Sequence, residues 1–204
     1  MLAVLPYFNE NANIQLFDKK FLLKIISEID IPIDNYEIEK NNDTNEIYTI
    51  WKKGEHTYKL NILNESVGTQ KLFHLLSTAL FALKIGGVLA IDEIDASLHP
   101  KLLRYIIKLF KNKKTNRYNA QLIFTSHDVT TMKGDIFRRD EIWFVSKNDE
   151  GASRIYSLYE IRDTDGSRVR ADAPFDKQYM DGRYGADPYL TNIFSNEWEA
   201  SYGA

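Results

Sequence analysis

Apolar residues at Phe17, Phe21, Leu22, Ile25, Ile26 and Ile29 recur every three to four positions and predict an amphipathic helix that Pro32 closes. The period then changes. "YEIEK", "EIYTIWKK" and "HTYKLNI" alternate as strands do, and Asn41-Asn42-Asp43 and Lys53-Gly54-Glu55 separate them as turns, which predicts an antiparallel meander from Tyr36 to Ile62. Helical spacing returns at Leu72, Leu75, Leu76, Ala79, Leu80 and Leu83 and stops at Gly86-Gly87. "VLAI", Val88 to Ile91, is too short and too continuously apolar for an amphipathic helix and predicts a strand covered on both faces. Pro100 suits the first turn of a helix carrying Leu102, Leu103, Ile106, Ile107 and Phe110. "QLIFTS" predicts a second buried strand, and "EIWFVSK" and "SRIYSLYEI" a third and fourth. From about Arg162 onward the pattern dissolves into a polar, turn-rich stretch ending in "DGRYGADPYL".

Strand, helix and strand in this order, with interior strands, predict an α/β fold: a partly parallel sheet flanked by helices, with the N-terminal antiparallel meander at its side. No linker interrupts the chain. The expected organisation is one domain over 1–204, with helix and meander in 1–64, a core in 65–160 and a turn-rich tail in 161–204.

Composition narrows the classes. Of the 204 residues 44% are hydrophobic and 27% charged, as in an ordinary soluble domain. Lys and Arg number 26 against 29 acids, a formal charge of -3, so net charge gives no support to a nucleic-acid or anionic-membrane partner, although a local patch is compatible with it. Without cysteine there are no disulfides or thiolate metal sites, and a reducing cytoplasm is the expected location. No segment approaches the roughly 20 apolar residues of a membrane helix. The start, "MLAVLPYFNENANIQ", lacks the basic region of a signal peptide.

The chemistry gathers at "VLAIDEIDASLHP". In open parallel sheets ligands bind beyond the carboxyl ends of the strands, where Asp92 follows "VLAI" and Ser126-His127 follows "LIFT". A hard cation such as Mg²⁺ takes carboxylate and phosphate oxygens, and a second acid beside it can orient or deprotonate water. Apolar strand plus Asp-Glu is thus a Walker B arrangement, with Asp92 supporting Mg²⁺ and Glu93 handling the attacking water. "NESVGTQK" precedes the helix before that strand. Ser66 and Gly68 there offer a hydroxyl and open backbone N–H groups to phosphate oxygens, or simply a helix cap and a turn. His127 stands where a terminal phosphate could accept its hydrogen bond.

Together these residues resemble the C-terminal half of an ABC-type nucleotide-binding domain, a P-loop NTPase of the SMC and overcoming-lysogenization-defect (OLD)-like kind. By that resemblance Ser66-Val67-Gly68 matches the signature motif, Val88 to Glu93 matches Walker B, Ala96-Ser97-Leu98-His99 matches the D-loop and His127 matches the switch histidine. The tail "RRDEIWFVSKNDEGASRIYSLYEI" with "GRYGADPYL" is similar to AAA-family ATPases of bacterial abortive-infection and other anti-phage systems. The resemblance spans roughly 35–190. It implies ATP and Mg²⁺ as cofactors and ATP hydrolysis in a site shared across a dimer. Asp92 would be the metal residue, Glu93 and His127 the catalytic pair, and Ser66, Gly68 and Ser97 nucleotide-contacting residues, with Ser66 and Gly68 serving the nucleotide of the opposite protomer. An effector nuclease or toxin is the implied partner in defence.

The sequence departs from the family in one respect. No GxxxxGK[ST] occurs in the 204 residues, so either the phosphate cradle, its lysine and its Mg²⁺-binding hydroxyl come from another segment or a Walker A-bearing partner chain, or the chain is a relic that has lost catalysis; the complete Walker B, Glu93 included, favours the first. Two other readings stay open: a non-catalytic interaction or regulatory module that keeps the fold, and a metal-dependent nuclease using Asp92, Glu93, Asp95, His99, His127 and Asp128. Lys111, Lys113, Lys114 and Arg117 form a basic loop, either a solvated turn or a contact for DNA. Arg138-Arg139 can reach phosphates or pair with Asp140 and Glu141.

Overall fold

The computed structural model describes residues 2–5, 19–29, 31–41, 44–148, 150–163 and 165–186. Phe17, the Asn42-Asp43 turn and the end of "DGRYGADPYL" from Asp187 lie outside them. The chain divides into two compact units, Met1–Asp128 and Val129–Ala204.

In the first unit the predicted elements fall close to their sequence signals. Helix α1 spans Lys19–Glu28 and buries Leu22, Ile25 and Ile26. The meander is β2 (Asn35–Asn41), β3 (Thr44–Lys53) and β4 (His56–Asn61), paired antiparallel in that order. Helix α2, Val67–Ile85, is buried on much of its circumference, and its interior Ser77 and Thr78 satisfy their hydroxyls on the carbonyls of Phe73 and His74 at 2.7 and 2.9 Å. It ends at Gly86, whose φ of +68° is left-handed. A Cβ there would lie 2.5 Å from the Tyr118 carbonyl oxygen, so both the backbone angle and the close approach require glycine. Helix α3, Pro100–Lys111, starts on Pro100 with His99 Nδ1 accepting the Lys101 N–H at 3.2 Å. It turns Leu103, Ile106, Ile107, Leu109 and Phe110 inward.

The central sheet holds β1 (Leu2–Leu5), β5 (Val88–Ile91) and β6 (Gln121–Phe124) in the order β1-β5-β6. β5 and β6 run parallel, with Leu89 opposite Leu122 and Ile91 opposite Phe124. β1 lies antiparallel on the other side of β5, Leu2 opposite Ile91. The mixed α/β architecture thus carries the parallel pair and the antiparallel meander expected of it. Burial corrects one expectation: β6 is not interior on both faces. Leu89 and Ile91 are buried, but Gln121 is exposed and Ile123 is 59% exposed, and β6 has β5 as its sole neighbour among the described strands.

In the second unit β7 (Trp143–Lys147) and β8 (Ser153–Ser157) form an antiparallel hairpin, and a short helix, α4 (Phe175–Met180), breaks the stretch expected to be irregular. Ile142, Phe144, Leu158, Val169, Phe175 and Tyr184 make its core. Arg183-Tyr184-Gly185 therefore has a structural role. Tyr184 is buried, donates its hydroxyl to Gln178 Oε1 at 2.7 Å, and accepts the Tyr156 hydroxyl on its carbonyl at 2.6 Å. Burial pushes its phenol up to about 12. Arg138 pairs with Asp140 at 2.7 Å, while Arg139 donates to the Val169 carbonyl and lies over the Tyr159 ring. Gly134 has no room for a Cβ, which would lie 2.4 Å from the Ala171 carbonyl oxygen.

Candidate active site

Because Ile91 faces Phe124 in the parallel register, the residues that follow them, Asp92 and Thr125, leave the same end of the sheet side by side. The Thr125 hydroxyl donates to Asp92 Oδ1 at 2.6 Å and accepts the Glu93 backbone N–H at 2.8 Å. The two chains are also tied through backbone, Thr125 N–H to the Ile91 carbonyl and Ile94 N–H to the Thr125 carbonyl, each at 3.0 Å. One hydroxyl therefore sets the direction of the first carboxylate and the position of the second acid's backbone.

Glu93 occupies the left-handed region, φ +50°, an uncommon conformation for a side chain of its kind. The surrounding turn imposes it. Ile94, next in sequence, is fully buried. The Glu93 carbonyl receives Ala96 N–H at 3.0 Å and Lys71 Nζ, from the first turns of α2, at 3.3 Å. The Glu93 carboxylate stays in solvent, with Oε1 3.6 Å from His127 Nε2. That separation is too long for a hydrogen bond and close enough for both groups to meet one small ligand. The His127 backbone N–H donates to Asp95 Oδ1 at 3.2 Å, which aligns the segment after β6 with the turn after β5.

The start of α2 forms the adjoining part. Ser66 caps the helix, its hydroxyl accepting the Thr69 N–H at 3.1 Å and meeting the Thr69 hydroxyl at 2.8 Å. A Cβ on Gly68 would lie 3.4 Å from the Ser97 carbonyl oxygen, so these two candidates are neighbours within one chain. Ser97 is itself left-handed, φ +64°. Glu65, just before the cap, accepts Trp51 Nε1–H at 2.8 Å and the hydroxyl of buried Thr49, fastening the helix start to the middle strand of the meander. Gln70 Nε2 donates to the Glu65 carbonyl at 2.8 Å and completes the joint.

The predicted residues thus fall in two groups. Asp92, Glu93 and His127 share the mouth of β5 and β6; Gly68 and Ser97 share the helix start beside it, with Ser66 as its cap. Thr125, Lys71, Thr49 and Trp51 were not singled out from sequence. Thr125 had a signal, since parallel pairing of "VLAI" with "LIFT" puts a hydroxyl next to Asp92. The six residues weighed for a nuclease do not converge on a metal. His99 caps α3, Asp95 holds a backbone N–H, and among the described residues no group of three or more His, Cys, Asp or Glu could hold an ion. Mg²⁺ carried by a nucleotide is a different case, because phosphates and waters supply most of its ligands and the protein one or two carboxylates. Exposed Asp92, with one oxygen oriented by Thr125, fits that smaller requirement.

A family described as "AAA domain, putative AbiEii toxin, Type IV TA system" matches residues 7–133, more than half of the chain. Curated proteins give no match. A solved structure, from work on ATP-driven dimerization and DNA-stimulated activation of SMC ATPases, is similar at 20% identity, covering 68% of this chain and 81% of that one with a TM-score of 0.47. Among the described residues no helix is long and apolar enough to cross a membrane.

Proposed function

The chain belongs to this AAA domain family, and from that premise we propose that it is the Walker B and signature half of a composite ATP-hydrolysing site, completed across a dimer or by a partner chain. The observation that carries the reading is the Asp92–Thr125–Glu93 arrangement with His127 beside it. Two acids at a strand mouth perform different tasks only if held in different orientations. Here a single hydroxyl holds Asp92 by its side chain and Glu93 by its backbone. Asp92 would hold a nucleotide-borne Mg²⁺. That ion, when bound, would neutralise phosphate charge. Glu93, its carboxylate exposed beside His127, orients and deprotonates a water; His127 donates to the terminal phosphate.

Ser66, Gly68 and Ser97 contact the nucleotide of the opposite protomer. The exposed cap of α2 supports this, because a helix start offers N–H groups and a favourable dipole to phosphate, and Gly68 leaves the approach open. The phosphate cradle absent from these 204 residues is supplied by another segment or chain. Bacterial anti-phage defence is the proposed setting, with an effector nuclease or toxin as the partner whose action ATP turnover controls.

Glu93→Gln tests the assignment. In a site completed with a Walker A-bearing partner, the variant should keep ATP binding and lose about 10²-fold in hydrolysis, the scale of general-base catalysis, because the amide keeps the shape but takes no proton. Wild-type turnover would remove Glu93 from the role. ATP binding without turnover by the wild-type pair would instead favour a regulatory module.

A further inference from the structure

Between Asp95 and Asp128 the sequence carries seven Lys or Arg, from Lys101 to Arg117, and no acid. Taking those seven from the 26 in the chain leaves 19 against 29 acids, so the rest of the molecule is net acidic by ten. The small overall charge therefore conceals a strongly basic segment, and the fold determines where it faces. Helix α3 spends its apolar residues on the core, leaving Lys101 and Lys108 exposed. The loop that follows exposes Lys113, Lys114, Arg117 and Tyr118, the last at 66%. Lys108, Lys113, Lys114 and Arg117 have no carboxylate within ion-pair distance among the described residues.

This loop is built, not merely solvated. The Asn116 amide uses both ends, donating to the carbonyls of Phe110 and Ala120 at 2.7 and 2.8 Å and accepting the Ala120 N–H at 2.7 Å. Asn112 Oδ1 accepts the Lys114 N–H at 2.8 Å, and the Thr115 hydroxyl returns to the Leu109 carbonyl at 2.5 Å. The Tyr118 backbone packs against Gly86. A braced backbone carrying four cations and an outward ring loses little conformational freedom when it binds.

We propose that the α3–β6 loop is a docking surface for single-stranded nucleic acid, with Lys108, Lys113, Lys114 and Arg117 on the phosphates and Tyr118 stacked on a base. Charge complementarity selects a polyanion. A membrane surface is disfavoured, since interfacial binding needs an apolar helix face and that of α3 is buried. An acidic protein surface lacks its usual hydrophobic anchors here, Tyr118 excepted. The exposed ring favours unpaired bases over a duplex.

The test is fluorescence anisotropy of the whole chain with a labelled single-stranded oligonucleotide and its duplex, over a range of salt and without nucleotide, so that it stands apart from the ATPase reading. Wild type should bind the single strand more tightly. The combined Lys113→Gln, Lys114→Gln, Arg117→Gln variant should weaken binding about tenfold or more at low salt and flatten the salt dependence by about 2 in log–log slope. Tyr118→Ala should lose about fivefold on the single strand, and Tyr118→Phe should restore it. All of these side chains are exposed, so melting temperatures should not move; should the triple variant fail to fold, Lys114→Gln alone should lower the slope by about 0.7. Absent binding at low salt, an unchanged slope, or a preference for duplex, polyglutamate or phosphatidylserine vesicles would each overturn the proposal.

Discussion

At the scale of single residues, the proposed site depends most on a side chain that no motif includes. Thr125→Val keeps the shape and removes both the donor to Asp92 and the acceptor for Glu93. In a completed site it should raise the Mg²⁺ concentration for half-maximal hydrolysis about tenfold, the worth of one hydrogen bond to a charged group, and Thr125→Ser should restore it. A purely structural role would lower the melting temperature without moving the Mg²⁺ dependence. Gly86 supports the fold in a different way. Gly86→Ala meets both the left-handed angle and the Tyr118 carbonyl and should cost about 2 kcal/mol in urea unfolding. The two positions differ in legibility for a physical reason. Gly86-Gly87 ends a helix by local backbone chemistry, which sequence displays directly. Thr125 acts on a residue 33 positions away, and that contact exists only once the strand register is fixed.

Among the elements, the same distinction separates what periodicity foretold from what it did not. Helices α2 and α3 and the meander were legible because each repeats its pattern over several turns or strands. β1 was not, since four residues pairing antiparallel with a distant strand leave no period to read. α4 was missed because six residues carrying one buried anchor, Phe175, give helical spacing nothing to repeat. The joint between meander and α2 is likewise a matter of partners. Glu65→Ala strips the acceptor from Trp51 Nε1 and from the buried Thr49 hydroxyl and should cost about 1–3 kcal/mol, read by urea unfolding together with a shift in tryptophan fluorescence. Glu65→Gln keeps an acceptor and should lose less.

On the whole-molecule scale the second unit has its own pH signature. Burial raises the Tyr184 phenol to about 12, so its neutral form is favoured in the fold. The contribution is complete below about 10, the ordinary tyrosine value, and is lost as pH rises through about 12. Tyr184→Phe should remove that alkaline step from the near-ultraviolet circular dichroism. The proposed dimer makes a separate prediction. Pairing a Gly68→Asp protomer with a Glu93→Gln protomer puts both lesions in one composite site, and each mixed dimer should regain about half of wild-type turnover if the sites act independently. Failure at every ratio would mean coupled sites or a misplaced signature. The margin of the central sheet bears on all such experiments. Among the described residues β6 ends the β1-β5-β6 order, and Ile123 on it is exposed, so this strand offers other copies of the chain a template at the concentrations used for purification. Self-association there would deplete soluble protein and imitate a functional oligomer in light scattering. Ile123→Lys, a gatekeeper charge on that strand, should suppress concentration-dependent scattering and leave true partner-driven assembly intact.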